Sequence, residues 1–323
     1  LVYLGDEDIV ITARSLDWAE DMRSNLWAFP RGIKRDGNAG ANSMSWTSKY
    51  GSLITSGYDI GTADGINEKG LAANALYLAE SDYGKPQDGK KNLSISTWTQ
   101  YVLDNYATTQ EAVDGLSKEE FVVICPVLPN GVPASLHLAV TDRGGDSAVF
   151  EYVNGKLVVH HGRDYRVMTN SPTFDQQLAL NTYWHKVGGD IFLPGTTKAA
   201  DRFARASYYI DSCKKTADNK LALAEIFGMI RAVSVPLGIA APPNEPNIAP
   251  TRWRIVADQK KGVYYFDSAS QPSIFWVDLD KLDLNAGAPV KKLDLQNGKT
   301  LAGEVSGQFE KTEPFVFLSG AGK

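Results

Sequence analysis

The chain has 323 residues, 43% of them hydrophobic, and a formal net charge of −5. This allows a large core in one domain or two, while mild acidity without a long basic run argues against a phosphate-backbone ligand. No apolar run approaches the ~18 residues of a membrane-spanning helix, and no secretory leader opens the sequence, as in a mature chain from which one was removed.

The first residues, Leu1-Val2-Tyr3-Leu4, already read as strand, with no Met and no lead-in, so the start reads as cut. Asp6-Glu7-Asp8 is a turn and residues 9–13 are the return strand. Residues 11–18, ITARSLDW, set Arg14 and Asp17 three apart at the strand end. The hairpin is expected to hold them as an ionic pair. The main enzyme class with chemistry there uses its own N-terminal residue as nucleophile and its α-amine as base. The plain alternative is a salt bridge across a strand end.

Residues 43–48 and 51–58 look like an antiparallel pair, and 64–70 (DGINEKG) is a turn rich in Gly, Asp and Asn. Residues 71–79 (LAANALYLA) follow as a strand buried on both faces. After a polar loop, Ser94 or Ser96 caps a helix carrying Trp98, Tyr101, Val102 and Asn105, and Thr108-Thr109 cap a second through Leu116. Residues 121–126, 135–141, 148–153 and 156–161 read as a meander, with Asn154-Gly155 as a hairpin turn. Residues 166–170 continue that sheet. Residues 174–184, 199–212 and 221–233 are helices. A proline-rich loop (241–250) leads to strands 252–257, 262–267 and 274–278.

The order lacks a β-α-β beat, which predicts an α+β domain over residues 1–323, with antiparallel sheets and helices packed outside. No metal or cofactor is expected. The two cysteines lack metal spacing. Cys125 reads as a small buried apolar residue and Cys213 as a surface or half-buried thiol; a disulfide between them stays open. Of the four histidines none forms an HExxH pattern, and no G-x-S-x-G elbow occurs. His160 and His161 are adjacent on a strand, so they face opposite sides.

Seven segments together resemble the choloylglycine hydrolase family of N-terminal nucleophile hydrolases, and within it the bacterial penicillin V acylases. They are TARSLDW (12–18), NLWAFPRG (25–32), WTSKYGS (46–52), DGINEKGL (64–71), MTNSPTFD (168–175), LPG (193–195) and DRFAR (201–205). The resemblance implies a four-layer αββα sandwich, usually a homotetramer, that cleaves a linear amide with an N-terminal cysteine exposed by processing. By register that cysteine belongs three positions ahead of Leu1. Cys125 and Cys213 lie mid-chain without an α-amine and cannot replace it. The expected location is the periplasm, with the cytoplasm as the alternative.

The family's active residues carry over position by position. Arg14 would favour the thiolate, and Asp17 would hold the α-amine, a usable base near its ordinary value of ~8. Asn170 would offer its side-chain N–H to the oxyanion; its other reading is an Asx turn before Pro172. Tyr77 would offer a backbone N–H; bile-salt hydrolases carry Asn there. Arg202 would complete the charge cluster, and Arg205 would be structural. Trp18 and Tyr77 would wall the substrate pocket, with Trp27 and Phe29 adding aromatic surface. The substrate implied is a small acyl amide with a phenoxyacetyl or fatty acyl group. An acyl-homoserine lactone acylase, a bile-salt hydrolase and a non-catalytic relative are the alternatives.

Overall fold

The computed structural model describes residues 1–188, 192–239 and 249–320. In chain order the strands are β1 (Val2–Leu4), β2 (Val10–Asp17), β3 (Leu26–Phe29), β4 (Lys34–Asp36), β5 (Ser45–Thr47), β6 (Ser52–Gly57), β7 (Gly61–Asn67), β8 (Ala72–Tyr77) and β9 (Lys91–Ser94). Helices α1 (Ile95–Asn105) and α2 (Thr109–Leu116) come next, then β10 (Phe121–Ile124), β11 (Leu136–Thr141), β12 (Ser147–Val153) and β13 (Lys156–His161). Three helices follow, α3 (Phe174–Val187), α4 (Ala199–Ser212) and α5 (Asn219–Ala232). The last strands are β14 (Thr251–Asp258), β15 (Val263–Ser268), β16 (Ile274–Asp278), β17 (Lys291–Leu293), β18 (Gly303–Glu304) and β19 (Glu310–Lys311).

These strands build a six-stranded sheet, β1-β2-β14-β15-β16-β18, and a nine-stranded one, β13-β12-β11-β8-β7-β6-β3-β17-β19. Their pairings are antiparallel except β16–β18. Three apolar layers stack around them. Trp98, Leu103, Leu138 and Phe150 fill the space between α1, α2 and the larger sheet. Leu26, Leu53, Ile66, Trp253 and Phe266 fill the space between the sheets. Ile11, Val256, Phe203, Ile226 and Ile230 join the smaller sheet to α4 and α5. Helices, sheet, sheet and helices give the four-layer αββα arrangement of an α+β fold. Among the described residues no helix is long and apolar enough to cross a membrane.

Local chemistry explains several boundaries. The hydroxyl of Ser94 accepts from the Ser96 N–H and starts α1, and Thr108 Oγ1 accepts from the Glu111 N–H and starts α2. Asn154 and Gly155 both take positive φ and turn β12 into β13. Gly65, in the middle of β7, has no room for a side chain. A Cβ there would stand 2.7 Å from Ile54 Cγ2 and 2.8 Å from Leu103 Cδ1. That absence lets α1 lie close on the sheet.

Four expectations are corrected. Residues 43–48 do not pair with 51–58: β5 pairs with β4, and β6 with β3 and β7. The Lys49 N–H is taken by the Asp104 carbonyl at 2.7 Å, so residues 49–51 do not close a hairpin. β10 lies outside the meander, parallel to β9. The DGINEKG segment is strand β7 up to Asn67, and only residues 68–70 turn. Residues 166–170 are not a strand; they touch the edge of β1 through Val2 N–H to Arg166 O, 2.8 Å. The proline-rich loop lies outside the described residues, save Ala249 and Pro250.

Gly65→Ala is expected to destabilise the protein by ~1–3 kcal/mol through overpacking. Leu103→Ala should cost less in the Gly65→Ala background than in the wild type, a coupling that urea unfolding of both single variants and the double would measure.

Candidate active site

Strand β2 has a side-chain period of two, so Arg14 and Asp17 leave it on opposite faces. Leu16 points with Arg14 into the layer between the sheets, and Ala13 points with Asp17 toward the helices. The expected Arg14–Asp17 pair is therefore replaced by two others. Arg14 Nε stands 3.6 Å from Asp64 on β7. Arg202 Nη1 stands 3.0 Å from Asp17.

The second pair extends into a chain of hydrogen bonds. Arg202 gives Nη2 to Asn170 Oδ1 at 2.9 Å, and its Nε to the Thr197 carbonyl at 3.1 Å. Asn170 gives Nδ2 to the Tyr77 carbonyl at 2.8 Å. With Oδ1 accepting and Nδ2 donating, the amide's orientation is fixed, and one of its two N–H groups is spoken for. Asp17 also accepts from the Thr251 hydroxyl at 2.5 Å. Arg205 holds the LPG segment instead, through the carbonyls of Pro194 and Thr196.

Arg14 is 5% exposed. Its Nη2 donates to the Ala75 carbonyl at 2.7 Å, and its guanidinium lies over the Trp253 ring at 4.8 Å. Its Nη1 has no partner. Burial pulls the guanidinium below its ordinary value, and Asp64 opposes that. Asp64 itself accepts from Tyr264 Oη at 2.6 Å and from Asn74 Nδ2 at 2.5 Å. Burial still outweighs Arg14 and these donors and pushes the Asp64 carboxyl up to about 6.

Arg14, Asp17, Tyr77, Asn170 and Arg202 all line one cavity of about 150 Å³, together with Leu1. Trp18 lines it too, giving its indole N–H to Tyr58 Oη at 2.7 Å and meeting Tyr77 edge-on at 6.1 Å. Trp27 and Phe29 do not reach it. They face α1, with Trp27 and Phe29 rings packed on Phe315 at 4.9 and 5.8 Å, because the alternation of β3 turns them away from the smaller sheet. Cys125 and Cys213 are free, and both are half-buried. Burial pushes the Cys125 thiol up; burial and then Glu225 push that of Cys213 up to about 11.

Sequence reasoning missed the supports. Asp64 sat in a recognised segment but read as a turn residue. Asn74 and Tyr264 carried no local signal, since their partner is on another strand. Behind Asn170, His137 bridges Glu151 and the Thr169 carbonyl, each at 2.8 Å. Gln177 gives Nε2 to the carbonyls of Asn170 and Pro172.

The choloylglycine hydrolase family of linear amide C–N hydrolases matches residues 1–292. The chain is 49% identical to a penicillin V acylase from Pectobacterium atrosepticum over 98% of its length and 90% of the relative's. It is 28% identical to a bile salt hydrolase/transferase from Clostridium perfringens over 84% of its length and 89% of the relative's. The structure of a penicillin V acylase from Agrobacterium tumefaciens superposes with a TM-score of 0.92 at 52% identity, covering 98% of each chain. The chain belongs to the choloylglycine hydrolase family and is an amide hydrolase of the N-terminal nucleophile class.

The Asp64 value gives a pH test. In the folded state the carboxyl titrates at about 6, against 3.8 in a free side chain. Between these values the folded state holds a proton that the unfolded chain has released. This group's contribution is therefore fully present below about pH 4 and falls as pH rises to about 6. Urea unfolding from pH 4 to 7 should show that downward slope in the wild type and a flatter one in Asp64→Asn.

Proposed function

We propose that this family member hydrolyses the amide of an N-acylated small molecule with an apolar acyl group, as a penicillin V acylase does. Its nucleophile, in this reading, is a cysteine three positions ahead of Leu1. The carrying observation is the unpartnered Nη1 of buried Arg14, in a cavity that Leu1 and Asn170 also line. The ladder adds support. Val2 pairs with Thr12, so continuing that register brings a residue three places before Leu1 level with Leu16, between Arg14 and Asp17.

In this reading Arg14 favours the thiolate, and Asp17, anchored by Arg202 and Thr251, accepts from the cysteine's α-amine. The thiolate attacks the amide carbonyl carbon. The oxyanion takes the second Asn170 N–H and the Tyr77 backbone N–H. As the C–N bond breaks, the α-ammonium gives its proton to the leaving nitrogen and the amine departs, leaving a thioester. Water, deprotonated by the α-amine, adds to the thioester, and the free acid leaves as the thiol re-forms.

The aromatic wall of Trp18 and Tyr77 favours a flat phenoxy ring or a medium acyl chain over a conjugated sterol. Pockets of this type discriminate by only ~1–3 kcal/mol per methylene-sized difference, so side activity on acyl-homoserine lactones fits the same reading.

Intact mass of the mature protein should place Cys ahead of Leu1, and its replacement by Ser should abolish most turnover. Asn170→Ala should lower kcat by ~100- to 1,000-fold. The kcat/KM values for penicillin V, decanoyl homoserine lactone and glycocholate decide the substrate: penicillin V or the lactone should lead, and a lead for glycocholate would overturn the acylase reading.

A further inference from the structure

Residues 312–320 form neither helix nor strand, and they lie beyond the 292 residues that match the family. They are nonetheless fastened into the sandwich. Phe315 is buried against Trp27 and Phe29. Arg35 lies over Phe29 at 4.4 Å and over Phe317 at 5.5 Å. The Leu318 N–H donates to the Ile60 carbonyl at 2.7 Å, and the hydroxyls of Ser94 and Ser96 both donate to the Leu318 carbonyl at 2.8 Å. The Gly320 N–H closes the segment onto the Asn38 carbonyl at 2.7 Å. Leu318 is thus clamped on both sides of its own peptide, and it lines the same cavity as the charge cluster.

The position has a direction. Arg202 enters the cavity from α4, in the outer layer on the smaller sheet. Leu318 enters beside Ile95 and Ser96, at the start of α1 in the opposite outer layer. The same cavity is lined by the apolar Met22, Ile60, Leu128 and Leu136, and the Ile60 carbonyl is the one that accepts from the Leu318 N–H. An acyl group whose carbonyl lies at Asn170 and which follows this apolar lining to the α1 side of the cavity ends at Leu318.

We infer that residues 312–320 are a fixed strap closing the acyl end of the pocket, and that Leu318 sets the length of acyl chain the enzyme accepts. This rests on the acylase reading. A hydrogen-bonded backbone cannot retreat from a longer chain as a free loop could, so the Leu318 side chain itself is the stop.

The test is kcat/KM for phenoxyacetyl, octanoyl and dodecanoyl p-nitroanilides, which share one leaving group, on the full mature protein. Leu318→Ala should raise the dodecanoyl-to-phenoxyacetyl ratio ~10-fold, Leu318→Trp should lower it by a similar factor, and Leu318→Met should restore the wild-type ratio. If Leu318→Trp does not fold, Ile60→Phe narrows the same end from the facing residue. Ratios within about twofold of wild type in both Leu318→Ala and the narrowing variant, or shifts in one direction for both, would overturn the strap. If the wild type cleaves none of the three, the acylase reading falls by itself. Dodecanoate titrated against tryptophan fluorescence then tests the strap: tighter binding to Leu318→Ala supports it and unchanged binding overturns it.

Discussion

A guanidinium buried between two sheets has to be held by opposite charge and by hydrogen bonds, because an unpaired charge there costs several kcal/mol. Arg14 imposes that requirement on the fold. It rises from β2 of the smaller sheet, and its carboxylate, Asp64, comes from β7 of the larger one. Tyr264 returns from the smaller sheet to bond Asp64, and Thr55 of the larger sheet shares a hydrogen bond with Tyr264 at 2.9 Å. The facing of the two sheets is thereby fixed at one polar point inside an apolar layer. Sliding one sheet by a residue would strand both ions.

The same strand serves the outer layer. Because β2 alternates, the residue three beyond Arg14 faces α4, and Arg202 meets it there. Arg202 then reaches Asn170, whose own segment is held from behind by side chains and not by a ladder. That explains why residues 166–170 look like strand but are not. Among the described residues only Arg166 of this segment is bonded to β1; the carbonyls of Thr169 and Asn170 are taken by His137 and Gln177, and the segment bends into the cavity there.

What the sequence made legible was local or repeated. The opening hairpin, the Ser94 and Thr108 caps, the Asn154-Gly155 turn and the helices near 174, 199 and 221 all depend on neighbours along the chain. Arg14, Asp17, Asn170 and Arg202 each stand in a family segment and Tyr77 lies six places past the end of one, so the resemblance marked what no local pattern could bring together. What stayed hidden depends on partners far away. Asp64 is 50 places from Arg14 in sequence, and Tyr264 is 200 from Asp64. The misplacing of Trp27 and Phe29 has another cause: alternation shows that two residues share a face, but not which layer that face meets.

Gln259 carries one further consequence. It accepts from Thr12 Oγ1 at 2.9 Å and donates to the carbonyls of Thr141 and Gly70 at 2.7 and 3.0 Å. Thr12 and Thr141 line the apolar cavity, whereas Gln259 and Gly70 line a separate polar cleft of about 260 Å³ with Arg143 and Lys261. One side-chain amide, with all three bonds in use, is thus the partition between two compartments. While those bonds hold, β2, β11 and the turn after β7 are tied to one side chain between the apolar cavity and the polar cleft. Breaking any one of the three bonds would loosen the boundary between the two compartments at this point.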